Sequence, residues 1–176
     1  MKKVIFLLSL VLILGAWLVS CGGDDEDECP DISGNYQVSK QISSVDCWKA
    51  GVKLNLDSST EIIASQSTLN IRQINCDLYA TEDYQSIPIP YVGSVDEDDY
   101  FELEIDAPEN IPPFHTELTL LGSNTLGVDF YFNYVLWQGD VLDDSLSGDI
   151  TYDLSGTSSG GTVDCNINAK FQANKQ

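Results

Sequence analysis

Val163-Asp164-Cys165-Asn166-Ile167-Asn168-Ala169-Lys170-Phe171-Gln172 alternates apolar and polar residues without a break. Successive side chains of a strand point to opposite faces, so a strict period of two describes a strand with one face in a core and one in water. The same rhythm runs outward through the chain. Phe101, Leu103 and Ile105 alternate with Glu102, Glu104 and Asp106. Phe130, Phe132, Tyr134 and Leu136 alternate with Tyr131, Asn133, Val135 and Trp137, which makes that strand apolar on both faces at several positions and predicts that it is central or covered. Further runs fall at 35–42, 52–56, 69–74, 77–81, 87–92, 117–121 and 149–154.

Turn signals separate these runs: Asn75-Cys76-Asp77, Asp96-Glu97-Asp98-Asp99, Gly122-Ser123-Asn124, Gln138-Gly139-Asp140 and the stretch 156–161. Pro88, Pro90, Pro108, Pro112 and Pro113 fall on proposed edges or in loops, where a missing N–H is tolerated. The best helix candidate is 44–50, a turn or two at most. Many short strands with short polar turns predict consecutive antiparallel pairing, an all-β meander. Hiding the edges of so many strands requires closure or stacking. A single meander closed into a small barrel is the expected fold, and a two-sheet sandwich is the alternative.

The start of the chain is of another kind. Met1-Lys2-Lys3 precedes an apolar run, 4–19, broken only by Ser9 and Gly15. Retained, the run would nearly span a bilayer, which takes about 17–25 apolar residues. A charged start, an apolar stretch and small residues at its end describe instead a secretory signal that is removed. Leu18-Val19-Ser20-Cys21 resembles the lipobox of bacterial lipoproteins, in which the cysteine thiol is alkylated by diacylglycerol before cleavage. The resemblance implies that residues 1–20 are cleaved, that Cys21 carries lipid, and that the membrane is a partner through that lipid. Gly22-Gly23-Asp24-Asp25-Glu26-Asp27-Glu28 has no apolar residue and cannot bury surface, so 21–31 is expected to be an acidic, solvated tether. The folded domain is then 32–176. In lipoproteins sorted by the residue after the cysteine, Asp retains them at the inner membrane; Gly22 therefore implies the outer membrane of the cell envelope, on its periplasmic or surface face.

Ile32-Ser33-Gly34-Asn35-Tyr36 resembles the opening of the calycin or lipocalin-like domains found in many bacterial lipoproteins, where a glycine, any residue and an aromatic follow a short tether. That resemblance implies the barrel. In classical lipocalins the aromatic is tryptophan and packs on an arginine near the end of the barrel; here it is Tyr36, and the nearest basic residue in the last strand is Lys170. Thr81-Glu82-Asp83-Tyr84 has a faint likeness to a second lipocalin motif but stands too early in the chain to be used.

Eight Lys and Arg against 28 Asp and Glu give a net charge of −20, and loss of Lys2 and Lys3 takes it to −22. Phosphate recognition rests on Lys and Arg clusters, so nucleic acid is excluded as a partner. With Cys21 lipidated, Cys29, Cys47, Cys76 and Cys165 remain, an even number in an exported chain and hence candidates for two disulfides. Three connectivities are open; proximity in the chain favours Cys29 with Cys47, leaving Cys76 with Cys165. No C-x-x-C spacing accompanies them and His115 is the only histidine, so no metal is expected. Acids gathered in turns, such as Asp143-Asp144, lack the spacing of a calcium loop.

Catalysis finds poor material. No serine stands in a G-x-S-x-G elbow, His115 follows Ile111-Pro112-Pro113-Phe114 at a strand mouth, and no cofactor motif occurs. The expectation is a non-enzymatic envelope lipoprotein that binds a small apolar ligand or serves as an interaction module with a protein partner; an envelope hydrolase or lyase is the alternative. Small barrels are filled by side chains or hold one ligand. Tyr36, Phe101, Phe130, Phe132, Tyr134 and Tyr152 are the aromatics expected to face inward and line any pocket.

Overall fold

In the computed structural model, which describes residues 29–57, 61–122 and 124–176, the alternation becomes ten strands and one 3-10 turn. The signal, the lipobox and the tether before Cys29 lie outside the described residues. The strands are β1 Gly34–Lys49, β2 Val52–Lys53, β3 Gln66–Ile74, β4 Asp77–Tyr84, β5 Ile87–Val95, β6 Tyr100–Ile105, β7 Phe114–Leu120, β8 Asn124–Leu142, β9 Ser145–Ser158 and β10 Gly161–Lys175.

β1, β3, β4, β5, β6, β8, β9 and β10 pair antiparallel in chain order, and β10 pairs back onto β1 from Tyr36↔Lys175 to Lys49↔Val163. The meander is therefore a closed eight-stranded barrel of the small lipocalin-like kind, and the sandwich alternative is set aside. Closure removes the edges that an open sheet would leave unpaired.

The wall has two tiers. β6 and β7 pair with the same edge of β8, β6 through Glu104↔Leu136 and β7 through Phe114↔Phe130. They are halves of one strand, parted by an excursion over 106–113 that holds the 3-10 turn Pro108–Asn110 and Pro112-Pro113. β5 meets β6 only from Tyr91 onward, so Pro88 and Pro90 lie where β6 does not reach and no ladder bond is lost there. On the other side of the barrel, β2 pairs with the end of β1, Leu54 N–H donates to Cys47 O at 2.8 Å, and Leu56 bridges Leu120 of β7. Asp57 N–H donates to Thr119 O at 2.8 Å, and Leu121 N–H to Asn55 O at 2.9 Å. The long strands β1, β8, β9 and β10 thus run through a lower tier closed by β3 to β6 and a narrower upper tier closed by 52–57 and β7. Ile62 and Ile63, each 1% exposed, are buried between β2 and β3 in sequence, and Ile62 O accepts from the Tyr84 hydroxyl at 3.1 Å while Glu61 O accepts from Thr116 of β7.

Several expectations need correction. Residues 44–50 are not helical, since β1 runs to Lys49. A bulge between Ile42 and Ser44 adds one residue to β1, and a second lies between Phe132 and Tyr134 on β8. Because side chains alternate with period two, each extra residue reverses which face the following residues occupy. Val135 and Trp137 consequently point inward and are buried, while Tyr134 is turned to the outer face and only half-buried. Gln138-Gly139-Asp140 is not a turn, because β8 continues to Leu142. Gly139 and Gly148 face each other across β8 and β9, and a Cβ on either would stand about 2 Å from a carbonyl oxygen of the other strand, so close backbone approach rather than a turn requires glycine there.

The disulfides are Cys29–Cys76 and Cys47–Cys165, not the pairs favoured by chain proximity. Closure sets Cys47 directly opposite Cys165, with Cα atoms 4.1 Å apart, on the seam between the first and last strands. Cys29 ties the chain ahead of β1 to the β3–β4 turn. Two disulfides are the chemistry of an oxidising, extracytoplasmic compartment.

Candidate functional site: a buried charged centre

Lys40 stands in the inward phase of β1 with Tyr36 and Val38, and Glu82 in the inward phase of β4 with Leu78, Ala80 and Tyr84. Lys40 is also where the lower tier begins, since its N–H donates to Ser65 O at 2.7 Å just before β3. The two side chains form an ion pair at the waist of the barrel, each 1% exposed. The Tyr91 hydroxyl donates to the other carboxylate oxygen, Glu82 Oε2, at 2.9 Å. The Lys40 ammonium lies 5.3 Å from the centre of the Trp137 ring, 5.7 Å from that of Tyr152 and 5.8 Å from that of Tyr84.

Taking an ion pair out of water costs several kcal/mol per ion, and mutual attraction repays this only with further polar contacts. Here the carboxylate has a donor on each oxygen, and the cation has three ring faces. Among the described residues the Tyr152 and Ser67 hydroxyls are buried without a hydrogen-bond partner, and the buried Trp137 indole N–H has the Tyr91 hydroxyl as its polar neighbour. Burial, and secondarily the Glu82 charge, pushes the Tyr91 and Tyr152 phenols well above their ordinary range. Burial likewise raises Tyr84, and it pushes Tyr36 up to about 12 with help from Asp31 and Asp144.

The aromatics expected to line a pocket have gone into the core. Tyr36, Phe101, Phe130, Phe132 and Tyr152 face inward and are buried. Phe101 of β6 meets Phe171 of β10 at 6.1 Å between ring centres, and Tyr84 of β4 meets Phe132 of β8 at 5.7 Å. These strand pairs are not neighbours in the wall, so the contacts cross the lumen. Trp137 adds contacts to Phe171 at 5.0 Å and to Tyr91 at 6.0 Å. The Tyr36 hydroxyl donates to Ile32 O at 2.9 Å. Lys170 does not approach it: Lys170 is exposed, 3.8 Å from Asp149, and the basic residue in register with Tyr36 is Lys175.

His115 sits on the outer face of β7, its Nδ1 2.7 Å from Asp129 Oδ1, with the two side chains 63% and 57% exposed. An open groove of about 440 Å³ lies in the wall where 42–45 of β1 and 53–57 part company, with Leu121 on its rim. Among the described residues no cluster of three His, Cys, Asp or Glu side chains could hold a metal ion, and no helix is long and apolar enough to cross a membrane.

None of Lys40, Glu82, Tyr91 and Trp137 was read as a site residue from the sequence; Glu82 entered only through the discarded likeness at 81–84 and Trp137 only as an apolar strand position. The available signal was a charge standing in the apolar phase of its strand, once on β1 and once, with opposite sign, on β4. No protein-family model matches the chain, and no curated protein matches it.

Proposed function

We propose that this is an exported lipoprotein, anchored through Cys21 at the outer membrane of the cell envelope, whose barrel serves as a non-enzymatic interaction module. The observation that carries the module reading is the set of aromatic contacts across the lumen: the side chains that would line a carrier's pocket touch one another instead. The exposed His115–Asp129 pair sits on an open strand face, poor ground for catalysis, which needs a nucleophile and exclusion of water.

Cys29–Cys76 supports an orientation. It fastens Cys29, within the 21–31 stretch expected to be tether, to the β3–β4 turn at the lower end of the barrel. A lipid on Cys21 then turns that end to the membrane and the upper tier outward, where Val52 and Leu121 are 68% and 64% exposed. These exposed apolar residues beside the wall groove are the natural contact points for a protein partner.

Native mass spectrometry and lipid extraction of the purified protein test the reading. The expected result is protein with its anchor lipid and nothing else; a stoichiometric apolar ligand would return the barrel to the carriers. Cys21→Ala is expected to abolish lipid labelling and leave unprocessed precursor, and a labelled mutant would remove the anchor from this cysteine.

A further inference from the structure

Lys40 and Glu82 hold an amine and a carboxyl in contact inside a closed barrel, both screened from water. β3 stands between β1 and β4 in the wall, so the pair bridges strands that are not neighbours. We propose that the two side chains condense into an intramolecular amide between Lys40 Nζ and Glu82 Cδ.

The step balances without an oxidant or cofactor. A proton passes from the ammonium to the carboxylate within the contact. The amine lone pair then forms the N–C bond, and the carbonyl electron pair collects on oxygen in a tetrahedral adduct. Oε2, which receives the Tyr91 hydroxyl at 2.9 Å, is the oxygen placed to carry that charge. Oε1 leaves as water, taking the transferred proton and one more from nitrogen, and the C=O bond re-forms on Oε2.

Three features of the site favour this. Lys40 Nζ already touches Glu82 Oε1, one bond from the carbon it would attack, and holding two groups together within one chain raises effective molarity, on the order of 10⁵–10⁸ M where the approach is aligned. The surrounding Trp137, Tyr152 and Tyr84 rings keep bulk water, the by-product of the condensation, away from the site. The product replaces two buried charges with one neutral amide whose carbonyl keeps the Tyr91 hydrogen bond. With Cys47–Cys165, it would tie β1 covalently to β4 on one side and to β10 on the other.

Peptide mapping of the purified, unfolded and reduced protein decides the matter. A lysine-specific protease is expected not to cut after Lys40, and the fragments carrying Lys40 and Glu82 are expected as one branched species lighter by one water than their sum. Recovery of the two as separate linear peptides of full mass would overturn the proposal. Lys40→Arg, which keeps the cation but not the amine, is expected to release the Glu82 fragment unlinked; a water loss persisting at Glu82 would assign the link to another group and overturn it equally. If that variant does not fold, the map of the unaltered protein still decides.

Discussion

The lower and upper tiers share four strands and one pattern of alternation, yet they are held by different forces. The lower tier surrounds an ion pair with tyrosine and tryptophan, so part of its core is polar and depends on complete pairing. The upper tier buries Val128, Phe130, Phe114, Leu118, Val163 and the Cys47–Cys165 link, a core of apolar contact with a covalent staple. In the lower ring polar-tipped side chains, Lys40, Glu82, Tyr91 and Trp137, meet at the centre. The narrower upper ring is filled by aliphatic and phenylalanine side chains and the disulfide. The difference teaches that one pattern of alternation closes two interiors, a polar one within β3 to β6 and an apolar one where 52–57 and β7 replace them.

The contrast can be broken most sharply at Glu82. Glu82→Leu leaves the Lys40 ammonium buried without its counter-ion and is expected to cost about 3–5 kcal/mol, read from denaturant unfolding. Adding Lys40→Met to it should recover most of that loss, because no charge is then stranded. A double variant no better than the single would show that the lower core does not depend on charge pairing.

In the upper tier, replacing Cys47 and Cys165 together by Ala is expected to cost about 2–5 kcal/mol. Replacing Cys29 and Cys76 should cost less, since that link closes a separation of 47 residues rather than 118. The reverse order in thermal melts would mean that the tether link, not the seam, organises the barrel.

Alkali should attack the lower tier first. Tyr91, Tyr152, Tyr84 and Tyr36 titrate above the unfolded value near 10, so their contribution is complete below pH 10 and is lost as pH rises through their folded values, about 12 for Tyr36. Stability is expected to fall by about 1.4 kcal/mol per pH unit for each such phenol in that window. Tyr91→Phe should make the alkaline limb of the stability curve shallower, and an unchanged limb would refute its share. The smallest effect is predicted at the surface: Asp129→Asn removes the exposed partner of His115 and should change stability by under about 1 kcal/mol.

Much of this was legible in the chain. The alternation at 163–172 is β10 as it stands, and Phe101, Leu103 and Ile105 point inward as their spacing predicts. Legibility failed at the two bulges. Ser43 and Asn133 look like ordinary members of their strands, and nothing in residue type marks an inserted position, so Trp137 was read onto the same face as Tyr131 and Tyr134 was read inward. The site was visible only as two anomalies, a lysine and a glutamate 42 residues apart, each in an apolar phase.

What the sequence determined by itself is local: the period of two, the polar turns, the tyrosines and phenylalanines of the inward phase, and an even set of cysteines after Cys21. These follow from the chemistry of neighbouring residues. The tertiary structure alone decided the partners. Closure of β10 on β1 set Cys47 against Cys165, the order β1–β3–β4 brought Lys40 to Glu82, and the shift from the lower to the upper tier placed the groove. The physical reason is that burial acts on each residue where it stands in the strand, whereas pairing depends on register and on girth, which belong to the barrel as a whole.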